Sequence, residues 1–451
     1  MESHKGYIII KENEYFFTLD DFLFIIYVGA NPSARISWPE INTIIDNEWI
    51  HVFDADNNEL YLKVDCAEYH HKDEYCYHIL GFIQLFHFNR NPFNVNVKKE
   101  KTVFECKSII IRNPIIDFML RKDKTVIDRS IHLLNMWKDE KAILDDVPSR
   151  KSFQIKIDEI AYMLCFEMMS RFEYPKPFPF EMFNTLSVRS EVGVSIDNIW
   201  NVIMAIKLFL QLISQSRIVN FDDIMIDFKE EAHPDYNAFI YMRQDKEQNI
   251  EKDKVFCYEH IEQGIESIFK QILDNQICFR SLFRYSDKEI STYDIMNICA
   301  AFESQFSAAN PKFIDKGQKA IKRRMVKDLE GLRGNYTSDE HEHFDTVLDG
   351  LKHYNDTLKK RLEIALEEFV RIYGEKEVEF GFANDFSLLP ERMKNTRNAL
   401  DHGNPNYYLT TAMFRDAELL RAITYMLILQ AAKIDDINIK ECLIKLSRYP
   451  L

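Results

Sequence analysis

The period of the hydrophobic pattern changes along this chain, and that change restricts it to an α+β architecture. Across roughly the first 115 residues, β-branched and aromatic residues gather in short runs at 7–11, 14–18, 22–28, 49–53, 59–65, 75–88 and 102–112. Turn-forming clusters separate them: Gly29-Ala30-Asn31-Pro32, Asp56-Asn57-Asn58 and Asn89-Arg90-Asn91-Pro92. Short strands at this spacing predict a sandwich or a barrel-like sheet. After about residue 287 the pattern becomes helical. Ile295, Ile298, Cys299, Phe302 and Phe306 form one stripe. Val347, Leu351, Tyr354, Leu358, Leu362, Ala365, Phe369 and Ile372 form a longer one, which Gly374 ends with a left-handed cap. Pro390 suits the first turn of a further helix.

Between these regions the character is mixed. Residues 199–213 are apolar nearly all round, which predicts a buried helix with Ser195 as its N-cap. Residues 236–243 read as a strand and 244–254 as a charged surface loop. Residues 258–273 return to helical spacing. The expected organisation is a β-rich region over 1–115, a mixed α/β continuation over 116–286, and an all-α bundle of four to six helices over 287–451.

Composition excludes several function classes. Apolar residues make up 46% and charged residues 29%, a globular balance. The net charge of −15 is wrong for a general nucleic-acid coat, because such coats neutralise phosphates with Lys and Arg. Any RNA contact must therefore use locally concentrated basic groups. The 8 cysteines contain no CxxC pair, and Cys106, Cys165, Cys278, Cys299 and Cys442 lie in apolar runs. They read as reduced, mostly buried thiols of a cytoplasmic protein. The start, Met1-Glu2-Ser3-His4-Lys5-Gly6, lacks the apolar core of a signal peptide. Residues 199–213, broken by Asn201, Lys207 and Gln211, are too short and polar to span a membrane. No Walker loop, Gly-rich dinucleotide motif or HExxH occurs.

The densest chemistry lies in Arg397-Asn398-Ala399-Leu400-Asp401-His402. The helix that begins near Pro390 must stop there, since Gly403 suits the position after a helix and Pro405 forbids continuation. Arg397 and His402 would point roughly 140° apart on an ideal helix. They share one site only if the helix ends between them or a second copy of the segment faces the first. The residue types suit RNA strand cleavage. An imidazole exchanges protons near neutral pH, so His402 can act on the 2′-hydroxyl or the leaving 5′-oxygen. Arg397 offers a fixed, charged fork to phosphate oxygens. Asn398 both donates and accepts hydrogen bonds, and can hold phosphate, ribose or imidazole. No metal or other cofactor is required.

This segment resembles the Arg-polar-x(3–5)-His signature of HEPN-domain ribonucleases. A β-rich region before a helical bundle that ends in Arg-Asn-x-x-x-His-Gly is similar to the ApeA-like anti-phage abortive-infection proteins. The resemblance implies that residues 287–451 form a HEPN-like bundle. Two such bundles would pair into a composite site for metal-independent RNA cleavage, with Arg397, Asn398 and His402 at the catalytic positions.

Other residues are candidates beside these. Glu303 could reach Arg397 across the bundle and orient it, or could be a solvated carboxylate. Lys312, Lys316, Lys319, Lys322, Arg323, Arg324, Lys327 and Arg333 form the clearest basic stretch, suited to an RNA backbone or to simple solvation. Arg392 and Lys394 extend it, and Tyr407 and Tyr408 could stack on bases. Cys66, His70, His71, Cys76 and His78 have zinc-ligand types, but their spacing fits no standard finger. The bland reading of the central motif is a helix-capping histidine beside an Arg397–Asp401 surface pair.

The expectation is a cytoplasmic, homodimeric or larger endoribonuclease of anti-phage defence that cleaves tRNA or mRNA and halts translation. Its N-terminal region would respond to a phage-derived trigger. The alternatives are a non-catalytic HEPN-type RNA- or nucleotide-binding module, or the toxin of a toxin–antitoxin pair.

Overall fold

The computed structural model describes residues 3–10, 13–20, 22–27, 49–56, 59–70, 76–87, 103–104, 106–120, 152–172, 180–192, 194–221, 223–228, 237–242, 250–283, 291–310, 316–353, 357–382, 385–401 and 410–446. The chain forms two compact units, Met1–Glu259 and His260–Leu451. The first is β-rich and the second helical, so the fold class is α+β. The break lies upstream of the expected 286/287 boundary. The helices after residue 260 bury their apolar stripe in the helical unit: Gln271 donates to the Ile428 carbonyl at 3.2 Å, and Ser267 to that of Ala431 at 3.4 Å.

The first unit opens with six strands: β1 (His4–Ile10), β2 (Asn13–Asp20), β3 (Leu23–Tyr27), β4 (Trp49–Phe53), β5 (Glu59–His70) and β6 (Cys76–His87). Alternation sends every second side chain inward. Gly6, Ile8 and Ile10 of β1 are buried, while Tyr7 and Ile9 are exposed. The strands pair antiparallel in the order β1-β2-β3-β6-β5-β4. An antiparallel bridge between Gly6 and Asp54 then returns β1 to the end of β4, and Ala55 N–H donates to the Lys5 carbonyl at 2.7 Å. The sheet is thereby closed into a small barrel, which removes its edges. Phe17, Phe24, Ile26, Ile50, Leu60, Leu62 and Ile79 fill the interior. Gly6 is required at the closure: a Cβ there would sit 2.7 Å from the Phe53 carbonyl oxygen and 2.9 Å from the Phe17 ring.

The chain continues through β7 (Val103–Phe104), β8 (Cys106–Arg112), α1 (Pro114–Leu120), β9 (Ser152–Ile157), β10 (Ile160–Phe172), β11 (Phe180–Ser190), β12 (Val194–Ser195), α2 (Ile196–Ser214), β13 (Asp223–Phe228) and β14 (Asn237–Met242). β14 pairs with the second half of β6, and the sheet runs on as β13-β8-β11-β10-β9. β6 therefore belongs to both the barrel and this open sheet, so the regions 1–115 and 116–286 share one hydrogen-bonded ladder. The expected helix over 199–213 is α2, capped reciprocally by Ser195 and Asn198. The expected strand over 236–243 is β14.

The helical unit contains α3 (Tyr258–Ile261, spanning the break), α4 (Ile265–Leu273), α5 (Phe279–Leu282), α6 (Thr292–Ala309), α7 (Lys316–Leu332), α8 (His341–His353), α9 (Thr357–Tyr373), α10 (Glu375–Gly381), α11 (Leu389–Asp401), α12 (Thr411–Ala431) and α13 (Asp436–Ile444). The long stripe from Val347 to Ile372 divides between α8 and α9, with 354–356 outside the described residues. The bundle thus has more, shorter helices than the sequence suggests. Gly374 takes a positive φ of 107°, but its ψ of 139° is extended rather than left-handed, and α10 starts at once. α12 is the central rod. Leu419, Leu420, Ile423, Tyr425, Met426, Ile428 and Leu429 are buried, and α6, α9, α11 and α13 pack around it. Each fully buried side chain of this size contributes about 1.5–3 kcal/mol.

Candidate active site

α11 carries the central motif. Leu389, Met393 and Thr396 bury its inner face, so Arg397 emerges at the margin of the packed surface. Its Nη1 lies 2.8 Å from Glu303 Oε2 on α6, and its Nε lies 3.5 Å from Asp401 Oδ2 one turn along α11. Glu303 is thus placed against Arg397 across the bundle, and Asp401 beside it within the helix. The Arg397 side chain is 33% exposed, enough to meet a ligand from outside. Asn398 is exposed, about 100° further round the helix. α11 is described as far as Asp401; His402, Tyr407 and Tyr408 lie outside the described residues.

One turn before Glu303, Cys299 is fully buried. Burial pushes its thiol up to about 12, a shift opposed by Arg397 and reinforced by Glu303 and Asp401. It is a neutral packing group, not a nucleophile. Arg392 was expected to serve RNA, but its guanidinium is engaged elsewhere. It grips buried Asp416 in a fork, Nε and Nη2 both at 2.6 Å, and Nη1 reaches Asp385 at 2.6 Å. Burial raises the Asp416 carboxyl above its usual range, against the pull of Arg392. Lys394 is half-buried on the same flank of α11 as Arg397.

The basic stretch from Lys316 to Lys327 lies in α7, which packs on α8; a forked pair between Arg333, just beyond α7, and Asp345, at 2.9 and 2.6 Å, reaches that helix. Arg323, Arg324 and Lys327 are exposed. Lys322 lies in the helix, and residues 311–315, Lys312 among them, lie outside the described residues. α11, which carries Arg397, packs on α6, α9 and α12.

The Cys/His group falls on the β5–β6 hairpin. His70 pairs with Cys76, Glu68 with His78 and Cys66 with Leu80 in the ladder, while His71 lies outside the described residues. Among the described cysteines, Cys257, Cys299 and Cys442 are buried, but Cys278 is exposed at the start of α5, where Sγ meets Ser281 Oγ at 3.4 Å. The expectation of a buried Cys278 is corrected: it precedes a helix of one turn, too short to cover it. Among the described residues, no helix is long and apolar enough to cross a membrane.

Sequence reasoning passed over Arg361. It lies on α9 with buried Leu358 three residues before and Ala365 four after, and its Nη1 donates to Ser307 Oγ on α6 at 3.3 Å. Ser307 is one turn beyond Glu303. An arginine at the margin of an apolar helix stripe is the signal that would have found it.

Residues 240–436 match the family model described as Apea-like HEPN. No curated protein and no solved structure gives a significant match.

Proposed function

We propose that this chain, whose residues 240–436 match the Apea-like HEPN family model, is a metal-independent endoribonuclease of anti-phage defence. The observation that carries the reading is the Glu303–Arg397 pair. It holds a guanidinium in one orientation at the exposed margin of α11, five residues before His402 in the sequence. In the proposed reaction an imidazole of His402 takes the proton of the 2′-hydroxyl, or returns one to the leaving 5′-oxygen. The 2′-oxygen bonds to phosphorus and the 5′-oxygen leaves, giving a 2′,3′-cyclic phosphate and a free 5′-hydroxyl. Arg397 stabilises the charge that gathers on the non-bridging oxygens. Asn398 fixes the phosphate or the ring.

Glu303 and Asp401 outnumber the one guanidinium between them, so an incoming phosphate meets more negative than positive charge. A second copy of the motif facing the first would set two copies of Arg397 and His402 around one phosphate, and the proposed active form is a homodimer or larger assembly. Arg323 and Arg324 on α7, with Lys322, would guide the RNA backbone. Abortive infection, a translation-related RNA target and triggering through the N-terminal unit complete the proposal.

The test is incubation of the purified chain with RNA and with matching DNA, in EDTA. RNA cleavage to 2′,3′-cyclic phosphate ends, lost in His402→Ala, is expected. DNA cleavage, or a complete need for metal, would contradict the mechanism. RNA binding without any cleavage by the assembled protein would favour a non-catalytic module instead.

A further inference from the structure

Arg361 presents an unusual combination in so acidic a protein. It is half-buried, and its Nε is shielded from solvent yet has no hydrogen-bond partner. Its recorded polar contact is the 3.3 Å bond from Nη1 to a neutral hydroxyl, Ser307 Oγ, and the guanidinium carbon stands 5.9 Å from the centre of the Phe306 ring. Among the described residues, no carboxylate lies within ion-pair distance of it. This contrasts with Arg333, Arg371, Arg392, Arg397 and Arg421, each of which meets at least one. A partly desolvated cation with an idle donor is costly unless an anion completes it.

Its position suggests which anion. Glu303 and Ser307 are four residues apart on α6 and so lie on one face. Arg397 meets the first and Arg361 the second. The two guanidiniums therefore border the same edge of α6, separated along it by about one helical turn, roughly 6 Å. That separation is comparable to the spacing of neighbouring phosphates on a single strand. Arg397 has two carboxylates against it and Arg361 has none, so Arg361 is the stronger bare anion-binding group of the two.

We infer that Arg361 is an anion-binding residue that takes a phosphate group, and that in RNA this is the phosphate next to the one bound at Arg397. The second half rests on the ribonuclease reading; the first does not. Phe306 supports the role with a ring centred 5.9 Å from the guanidinium carbon.

The experiment uses the full chain and two probes: inorganic phosphate, followed by calorimetry, and a fully 2′-O-methylated oligonucleotide that cannot be cut, followed by fluorescence anisotropy. Arg361→Gln keeps the size and removes the charge; Arg361→Lys keeps the charge and loses the fork. Unchanged circular dichroism and melting show that both variants fold. Arg361→Gln should weaken both probes about tenfold, and lower the salt slope of oligonucleotide binding by about 0.7. Arg361→Lys should recover part of each. Phosphate binding lost in Arg361→Gln, with no oligonucleotide binding by the native chain, would retain the anion site and sink the ribonuclease reading. Arg361→Gln binding both probes as the native chain does, or a native chain that binds neither, would overturn the inference.

Discussion

Glu303 on α6 and Arg397 on α11 meet at 2.8 Å, which makes the orientation of the motif arginine a property of the packing between two helices. Glu303→Ala should let the guanidinium turn to Asp401 and lower turnover about tenfold, with the loss in kcat rather than KM. Glu303→Gln keeps an acceptor and removes a charge. It should bind RNA more tightly than the native chain while cleaving more slowly. Steady-state kinetics on both variants measures this split; an equal effect of Ala and Gln on KM alone would argue against positioning.

His402→Ala should reduce cleavage by about 10²–10⁴, and Arg397→Ala by about 10²–10³. The combined variant should be little worse than the weaker single one if the two act in one step. Single-turnover rates on an end-labelled RNA give all three values. Full activity in His402→Ala would remove this residue from the chemistry.

Arg392 and Asp416 make a clamp, and breaking it from one side should be far worse than removing it whole. Arg392→Ala strands the buried Asp416 carboxylate and should cost about 3–5 kcal/mol. Arg392→Ala with Asp416→Asn removes the stranded charge and should recover much of that. Urea unfolding of the two variants tests it, and equal losses would show that the charge is not the cause.

Acid should weaken the helical unit. Hydrogen bonds from Arg371 hold Glu368 below the usual carboxylate range, those from Thr337 hold Glu340, Lys440 holds Glu377, Lys359 holds Glu391, and Asn438 holds Asp435. Groups with depressed folded values contribute stability that is present above the unfolded value, about 4. That contribution is lost as pH falls through the folded values. Asp416, shifted upward by burial, acts in the opposite sense. Five against one predicts a net fall in melting temperature between pH 5 and 3, measurable by circular dichroism on the full chain; a rise would reverse the assignment.

Gly6→Ala should damage the barrel. The added methyl meets a backbone carbonyl oxygen that cannot swing away, and the cost is about 1–3 kcal/mol. Hydrogen exchange at Ala55 N–H, the bond that returns β4 to β1, should speed up first. Unchanged exchange there would mean that the closure is not limited by this contact.

Local signals made much of this fold legible. Ser195 names its own helix start, the alternation through Ile8 and Ile10 names a strand with one inward face, and Pro390 marks α11. What pairs with what was not legible, because β-ladders join residues far apart. Nothing local to Asn237–Met242 says that this strand lies against Ile83–His87. The same holds for the site. Arg397 stood out by its neighbours in sequence, and Glu303 could be suspected from helical spacing alone. Arg361 and the commitment of Arg392 to Asp416 required the packing of α9 and α12. A side chain's availability depends on who else reaches it.

β6 is one strand shared by two walls, its first half pairing with β3 and its second with β14, while β5 flanks its length. The N-terminal unit is for that reason not modular. Excising the barrel would strip β14 of its neighbour and leave a raw, adhesive edge, and cutting downstream of it would open the barrel's own seam. Evolution can decorate such a unit at its loops, but cannot trade one half for another without rebuilding the strand that both inherit.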